Sequence, residues 1–417
     1  MSKAPETAAP SSVPWRTLFL VALLLRLAYV LFYPQQSVHA DAAHYDALGW
    51  NLAQGLGYRL PGGEPNVYWA PGYPGLLAAI YWLFGHSYVV VRIFQAILSA
   101  IVAALVALIA GRIFDRRTAL IAGLLCACYP AFIAFSGLLL TETVFTTLLV
   151  VMVYWLLTIS TNTSWKSVIG LGVLAGLMCL VRAETVLLPL FVFVVLRIFF
   201  RDRTATVRQI VLLYAAVVVT VAPWSMRNSA VTGEFIPLTV HGGDVLWISS
   251  YREEWLEFYP DKEPYRSLVA GLSELEASKV LRREGIRNII EDPVGFARLS
   301  LRRFPRLWLG GNSNLFAGMG DSTRAYLERR QYGRFLVKLA LLAGNSLLVL
   351  LGACGAYRSF SRRAADLRAL VVLSAPVVFI TAIHVVLFAT PRFHVPVMPF
   401  MLVFAAVALQ RPRAGRT

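Results

Sequence analysis

Apolar runs dominate this chain, and short polar stretches interrupt them at fairly even intervals. Read by hydropathy, the runs predict about ten membrane helices, near 17–33, 88–112, 118–136, 138–159, 166–181, 185–200, 209–224, 335–357, 368–389 and 394–410. A further apolar stretch at 73–85 is too short to span and is expected to lie flat in the interface. Pro34 closes the first helix. The long polar segment 225–334 predicts a helical stretch around 263–291. Asp292 as cap and Pro293 at the first helical position then open a second helix. That helix carries Arg298, Arg302, Arg303 and Arg306 among apolar residues, the pattern of a basic interfacial helix anchored to headgroups. The predicted fold class is therefore an all-α polytopic membrane protein.

Composition agrees. Of 417 residues, 58% are hydrophobic and 15% charged, against about 25% charged in soluble domains. The formal net charge of +16 falls mainly in short loops and in the one long polar segment, so it speaks for topology and anionic headgroups rather than nucleic acid. Cys126, Cys128, Cys179 and Cys354 all lie in apolar runs, and no disulfide framework is implied. The expected organisation is a tail at 1–16, a transmembrane module at 17–224 with an outer loop at 34–87, the polar segment 225–334, C-terminal helices at 335–410 and a tail at 411–417.

Alternate short loops hold Arg112, Arg116 and Arg117; Lys166; Arg197, Arg201, Arg203 and Arg208; and Arg358, Arg362, Arg363 and Arg368. Lys3 and Arg16 precede the first span, and Arg411, Arg413 and Arg416 follow the last. The positive-inside rule then puts both termini in the cytoplasm, and the loop with Asp41 and segment 225–334 outside. A signal peptide cleaved after the VHA at 38–40 competes with this reading. Arg26 inside the apolar run, and the run's length, argue against it. The Asn162 sequon falls in an inner loop.

Candidate chemistry collects on the outer side. HADAAHYDALGWNLAQG, directly after the first span, carries Asp41, His44, Tyr45 and Asp46 on a surface helix. Glu142, Arg182, Glu184, Arg227, Asn228, His241, Asp244, Arg392 and His394 sit in or at the ends of spans, with Arg92 near the outer end of its helix. Ionisable groups at such places are rare and their default reading is functional. Arginine forks suit a phosphate, and a carboxylate beside them suits a general base that deprotonates an incoming hydroxyl or amine.

The stretches DAAHYDALGWNLAQGLGY, PGYPGLLAAIYWLFGHS, VRIFQAILSA, YPAFIAFSGLLLTETVFTTLL, GLMCLVRAETVLL, APWSMRNSAVTGEFIPLTVHGGDVLWI, EDPVGFARLSLRRFPRLW and PRFHVPVMPF follow one another in this order. Together they resemble the GT-C glycosyltransferase superfamily, in its bacterial branch related to protein O-mannosyltransferases and the lipid A aminoarabinose transferase. The resemblance implies transfer of a sugar from a polyprenyl-phosphate donor, undecaprenyl phosphate in a bacterium, with inversion. The acceptor, a lipid, polysaccharide or protein, would stand at the periplasmic face of the inner membrane. It implies Asp41 as catalytic base and Arg392, in an Arg-aromatic-x-x-Pro turn, as the first phosphate contact, with Arg227 the second. Arg182, Glu142, His44, Tyr45, His394 and Asn228 are the further substrate-binding candidates. Two positions depart from the family pattern: Ala42 follows Asp41 where the mannosyltransferases have Glu, and His394 stands where a second Arg is common.

Each assignment has a rival. Asp41 suits a helix cap, Asp46 a solvated or paired carboxylate, and Glu142 with Arg182 a structural ion pair. Arg26 suits packing or snorkelling. His39, Asp41, His44 and Asp46 offer metal-ligand chemistry, although their spacing does not set three ligands on one helical face, so a divalent metal stays open and no other cofactor is implied. For the whole protein the rivals are a flippase for lipid-linked sugars, which would show inverted repeats not found here, and a non-catalytic scaffold.

Overall fold

The computed structural model describes residues 13–35, 37–159, 164–200, 207–251, 263–362 and 364–410. Lys3, Arg201, Arg203, Arg363, Arg411, Arg413, Arg416 and the Asn162 sequon lie outside the described residues. Among those residues the chain is all helical, with one isolated bridge between Arg59 and Pro65.

The order is α1 (Trp15–Phe32), α2 (Asp41–Ala53), α3 (Gly72–Phe84), α4 (Tyr88–Ile113), α5 (Arg116–Cys128), α6 (Pro130–Ser136), α7 (Glu142–Thr158), α8 (Trp165–Val181), α9 (Leu188–Phe200) and α10 (Val207–Thr232). A second set follows: α11 (Gly242–Ser250), α12 (Tyr265–Val269), α13 (Glu274–Glu291), α14 (Pro293–Leu309), α15 (Thr323–Glu328), α16 (Tyr332–Ser361), α17 (Leu367–Val386) and α18 (Met398–Ala408). All ten apolar runs are helical, but the count of ten spans is not reached. Six helices among the described residues are long and apolar enough to cross a membrane, or seven if α5 and α6 form one bent span. The reason is local. The run at 118–136 breaks by 50° before Pro130, and the run at 138–159 becomes helical only at Glu142. α3, expected to be too short, has 13 residues. The stretch around 263–291 is two helices, with Ser273 and Glu276 forming a capping box at the start of α13. Asp292 caps α14 as expected, accepting from the Gly295 N–H.

Small residues set the core. α4 presents Ala96, Ala100, Ala103, Ala107 and Ala110, all unexposed, to its neighbours, so backbones approach closely. At Gly123 on α5, a β-carbon would stand 2.5 Å from Leu18 and 3.1 Å from Ala107. At Gly355 on α16 it would overlap the Phe404 carbonyl of α18, at 1.8 Å.

The break before Pro130 leaves the Cys126 and Ala127 carbonyls without their usual donors four residues on, because Pro130 has no N–H and the axis turns. Arg26 on α1, wholly buried, fills this role. Its Nη2 donates to Cys126 O (3.2 Å), Nη1 to Ala127 O (2.9 Å) and Ala22 O (3.0 Å), and Nε to Ser99 Oγ (2.7 Å). It does not snorkel. The non-helical stretch 137–141 is held the same way from α4: Arg92 Nε donates to Gly137 O (2.9 Å), and Gln95 Nε2 to Ser136 O (3.2 Å) and Leu138 O (2.8 Å). These contacts fix the point at which α7 begins, and α7 begins with Glu142.

Candidate active site

Ala40 holds the cap position of α2, and Asp41 is its first helical residue rather than its cap. The Asp41 carboxylate accepts from Arg392 Nη1 at 2.9 Å. Arg392 lies in the 3-10 turn Pro391–Val397 that leads into α18. Its Nε donates to Glu142 Oε1 at 2.7 Å, and the same oxygen accepts from Arg182 Nη2 at 2.8 Å. Arg182 also reaches Thr141 Oγ1 and stands 3.8 Å from Glu184. One chain of charges thus runs Asp41–Arg392–Glu142–Arg182–Glu184, joining residues up to 351 positions apart.

The two carboxylates on Arg392 differ. Glu142 is wholly buried and pinned by two guanidinium groups, whereas Asp41 is 36% exposed and, among the described residues, pairs with Arg392 alone. Buried carboxylates need such pairing, while a half-exposed pair exchanges partners at small cost. The ring of Phe393 lies beneath both arginines, at 5.6 Å from each.

One turn along α2, His44 and Tyr45 share the face of Asp41. His44 stacks on Trp69 (5.5 Å between centroids, 27°), and Tyr45, buried, meets Trp69 and Tyr73 edge to face. Burial raises the Tyr45 hydroxyl well above the usual phenol range; the Asp41 charge adds to this and Arg392 opposes it. His241 packs against Tyr68 (4.5 Å) and Trp69 (5.6 Å). Burial lowers its pKa, against the pull of Asp244, Asp41 and Glu184. Asp244 accepts from Tyr265 Oη at 2.5 Å, and burial raises its carboxyl despite that bond.

Other candidates are placed elsewhere. Arg227 donates to Asn66 O (2.6 Å), Tyr58 O (3.0 Å) and Asn228 Oδ1 (3.1 Å), and stacks over Trp224. Asn228 donates to Leu238 O at 3.0 Å. Both brace loops beside the charge chain and do not join it. His394 Nδ1 bonds the Leu307 carbonyl at 2.6 Å and its ring stacks on Trp308. Asp46 accepts from Tyr81 (2.6 Å), His86 (2.8 Å) and Tyr88 (2.8 Å), and is thus a paired carboxylate. His39 turns to the Ser37 carbonyl. Among the described residues no three His, Cys, Asp or Glu side chains converge as a metal site.

Two residues here carry no signature in the sequence. Trp69, in a loop rich in Pro and aromatics, could have drawn attention as a Tyr-Trp pair between two helices. Glu274 reads as an ordinary first-turn acid, yet its carboxylate accepts from Asn66 Nδ2 (2.5 Å) and the Val67 N–H (3.0 Å) of that loop. Burial raises the Glu274 carboxyl, and these donors and Arg227 oppose the shift.

The profile of the dolichyl-phosphate-mannose-protein mannosyltransferase family matches residues 69–226. No curated protein gives a sequence match. Among solved structures, the oligosaccharyltransferase of Archaeoglobus fulgidus in its apo form aligns with a TM-score of 0.55, 17% identity, 95% of this chain and 50% of that chain. The same AglB enzyme in complex with an inhibitory peptide and a dolichol-phosphate aligns at 0.54, with 17% identity and the same coverage. ArnT from Cupriavidus metallidurans bound to undecaprenyl phosphate aligns at 0.48, with 16% identity, 95% of this chain and 78% of that chain. The chain spans about half the length of the oligosaccharyltransferase chains it matches. At these identities the likeness is one of fold.

Proposed function

We propose that this chain is a membrane glycosyltransferase of the GT-C kind, which moves a sugar from a polyprenyl-phosphate donor to an acceptor at the outer face of the membrane, with inversion. The bacterial inner membrane and a periplasmic site are part of this reading, as are both termini in the cytoplasm. The donor class is supported by two names: the matched family uses dolichyl-phosphate mannose, and the AglB complex holds dolichol-phosphate.

The observation that carries the mechanism is the unequal pair of carboxylates on Arg392. Glu142, buried, keeps Arg392 in place through Nε. Asp41, half-exposed, occupies the other arm of the fork. An incoming phosphate competes for that arm, because guanidinium prefers bidentate oxyanions. Asp41 is then released as a free carboxylate beside the anomeric carbon. It takes the proton of the acceptor O–H or N–H. The acceptor atom attacks the anomeric carbon from the side opposite the phosphate, and the carbon–oxygen bond to phosphate breaks with its electron pair. Arg392 stabilises the negative charge that grows on the leaving polyprenyl phosphate. Arg182 acts through Glu142.

The test uses protein in lipid, a panel of polyprenyl-phosphate sugars and envelope acceptor, following release of polyprenyl phosphate. Asp41→Asn is expected to lower release by about 10²–10⁴-fold while donor binding persists. Equal release from both proteins would place the base elsewhere. Binding without release by the wild type across the panel would leave a carrier of lipid-linked sugars as the better reading.

A further inference from the structure

Trp69 is half-buried at the rim of the charge chain, and four rings surround it: His44 stacked at 5.5 Å, and Tyr45 (5.0 Å), Tyr68 (5.0 Å) and His241 (5.6 Å) edge to face. They come from α2, from the loop itself and from the turn before α11. Closing a loop does not need this concentration of aromatic surface one helical turn from Asp41. The loop is also held unusually firmly. The Trp69 N–H donates to Asn66 Oδ1 (3.0 Å), and Tyr58 Oη donates to the Trp69 carbonyl (3.0 Å). Asn66 and the Val67 N–H are gripped by Glu274, the Asn66 and Tyr58 carbonyls by Arg227, and the Val67 carbonyl by the Val240 N–H. Three distant parts of the chain therefore spend charged and main-chain groups to fix the orientation of one indole.

We propose that Trp69 is the surface on which a sugar ring of the substrate stacks beside Asp41, and that Glu274 and Arg227 are positioning residues for it. The face of an indole is the negative side of its quadrupole, and the C–H-lined face of a sugar ring is weakly positive, so the two attract and shed water together. His44 already lies against one face of the indole, so the sugar takes the opposite face, and the hydroxyls at its edge turn toward the His241 imidazole and the Asp41 carboxylate. The stacked ring belongs to the donor glycosyl group or to a sugar acceptor; the chemistry is the same and the kinetics separate them. The proposal rests on the glycosyltransfer reading for its setting, and its test is independent of turnover.

The experiment uses the full chain in lipid nanodiscs, as wild type, Trp69→Phe, Trp69→Leu and Glu274→Gln. Saturation-transfer NMR with soluble methyl glycosides reads ring-proton contact directly, and steady-state transfer reads the two KM values. Trp69→Leu is expected to abolish ring-proton saturation and to raise one KM by about threefold to tenfold, the worth of one aromatic contact, whereas Trp69→Phe retains most of both. A rise in donor KM alone assigns the ring to the donor, and a rise in acceptor KM alone to the acceptor. Glu274→Gln is expected to move the same KM with kcat unchanged. Unchanged saturation and KM values in Trp69→Leu would overturn the stack while leaving the glycosyltransfer reading intact. A wild type without turnover, whose glycoside saturation is nonetheless lost in Trp69→Leu, would keep the stack and sink that reading. A wild type with neither would overturn both.

Discussion

Arg26 and Arg392 are both guanidinium groups in the membrane bundle, and they are held by different kinds of atom. Arg26 is wholly buried, and its recorded partners are three carbonyls and one hydroxyl. Two of those carbonyls, of Cys126 and Ala127, are free to accept because α5 and α6 break before Pro130, and all four acceptors are fixed parts of the chain. Arg392 is held by two carboxylates, one buried and one half-exposed. The exposed one is exchangeable for another oxyanion. The comparison teaches that an intramembrane arginine is not functional by its charge alone. What matters is whether one of its partners can leave.

The sharpest way to break this contrast is to remove each fork in turn. Arg392→Gln is expected to lower kcat/KM for sugar transfer by about 10²–10³-fold, as loss of a charge-stabilising donor does. The protein should still fold, because Arg182 continues to hold Glu142. Arg392→Lys should lose most of the same activity, since a point charge does not span both carboxylates as the fork does. A near-normal rate in either variant would remove Arg392 from the chemistry. Arg26→Met should behave in the opposite sense. It orphans buried carbonyls, each at about 1–3 kcal/mol, so thermal unfolding in detergent should move sharply down while activity per folded molecule holds. Unchanged melting would mean that the break at Pro130 does not depend on Arg26.

The smallest effect concerns pH. Burial depresses the His241 pKa below the 6.5 of a free imidazole. The packed state therefore favours the neutral ring. Stability from this packing is present above about pH 6.5 and declines as pH falls below it, by less than about 1.4 kcal/mol per pH unit. Wild type should lose melting temperature between pH 6.5 and 5 faster than His241→Phe, in parallel thermal scans. Parallel curves for the two proteins would show that His241 titrates as it does in water.

How much of this was legible depends on what each residue faces. Asp41, Glu142, Arg182 and Arg392 stood out because ionisable groups at membrane ends are rare, and the structure brings these four together. Arg227 and Asn228 stood out for the same reason, but they turn to main-chain carbonyls, which no sequence pattern marks. Pro130 was visible as a proline. That a chain could break there inside the bundle was not, because the donor that makes the break tolerable comes from Arg26 on α1. The ten apolar runs gave helices, but irregular backbone at 129 and 137–141 shortened two of them, and α8 is a continuous helix of only 17 residues. Trp69 escaped because the rings around it come from α2 and from the turn before α11, and Glu274 because its meaning lies in a contact across more than two hundred residues.

That contact has a practical consequence for anyone cutting this chain into modules. Segment 225–334 invites exchange between relatives as a self-contained cap. Glu274, at the start of α13, is also a clasp on the loop 66–69, and Arg227 closes the same clasp from α10. A chimera that swaps the cap without the loop would separate the two halves of the clasp. The inherited unit is the pair, and recombination that preserves it must carry residues 58–69 together with 227–274.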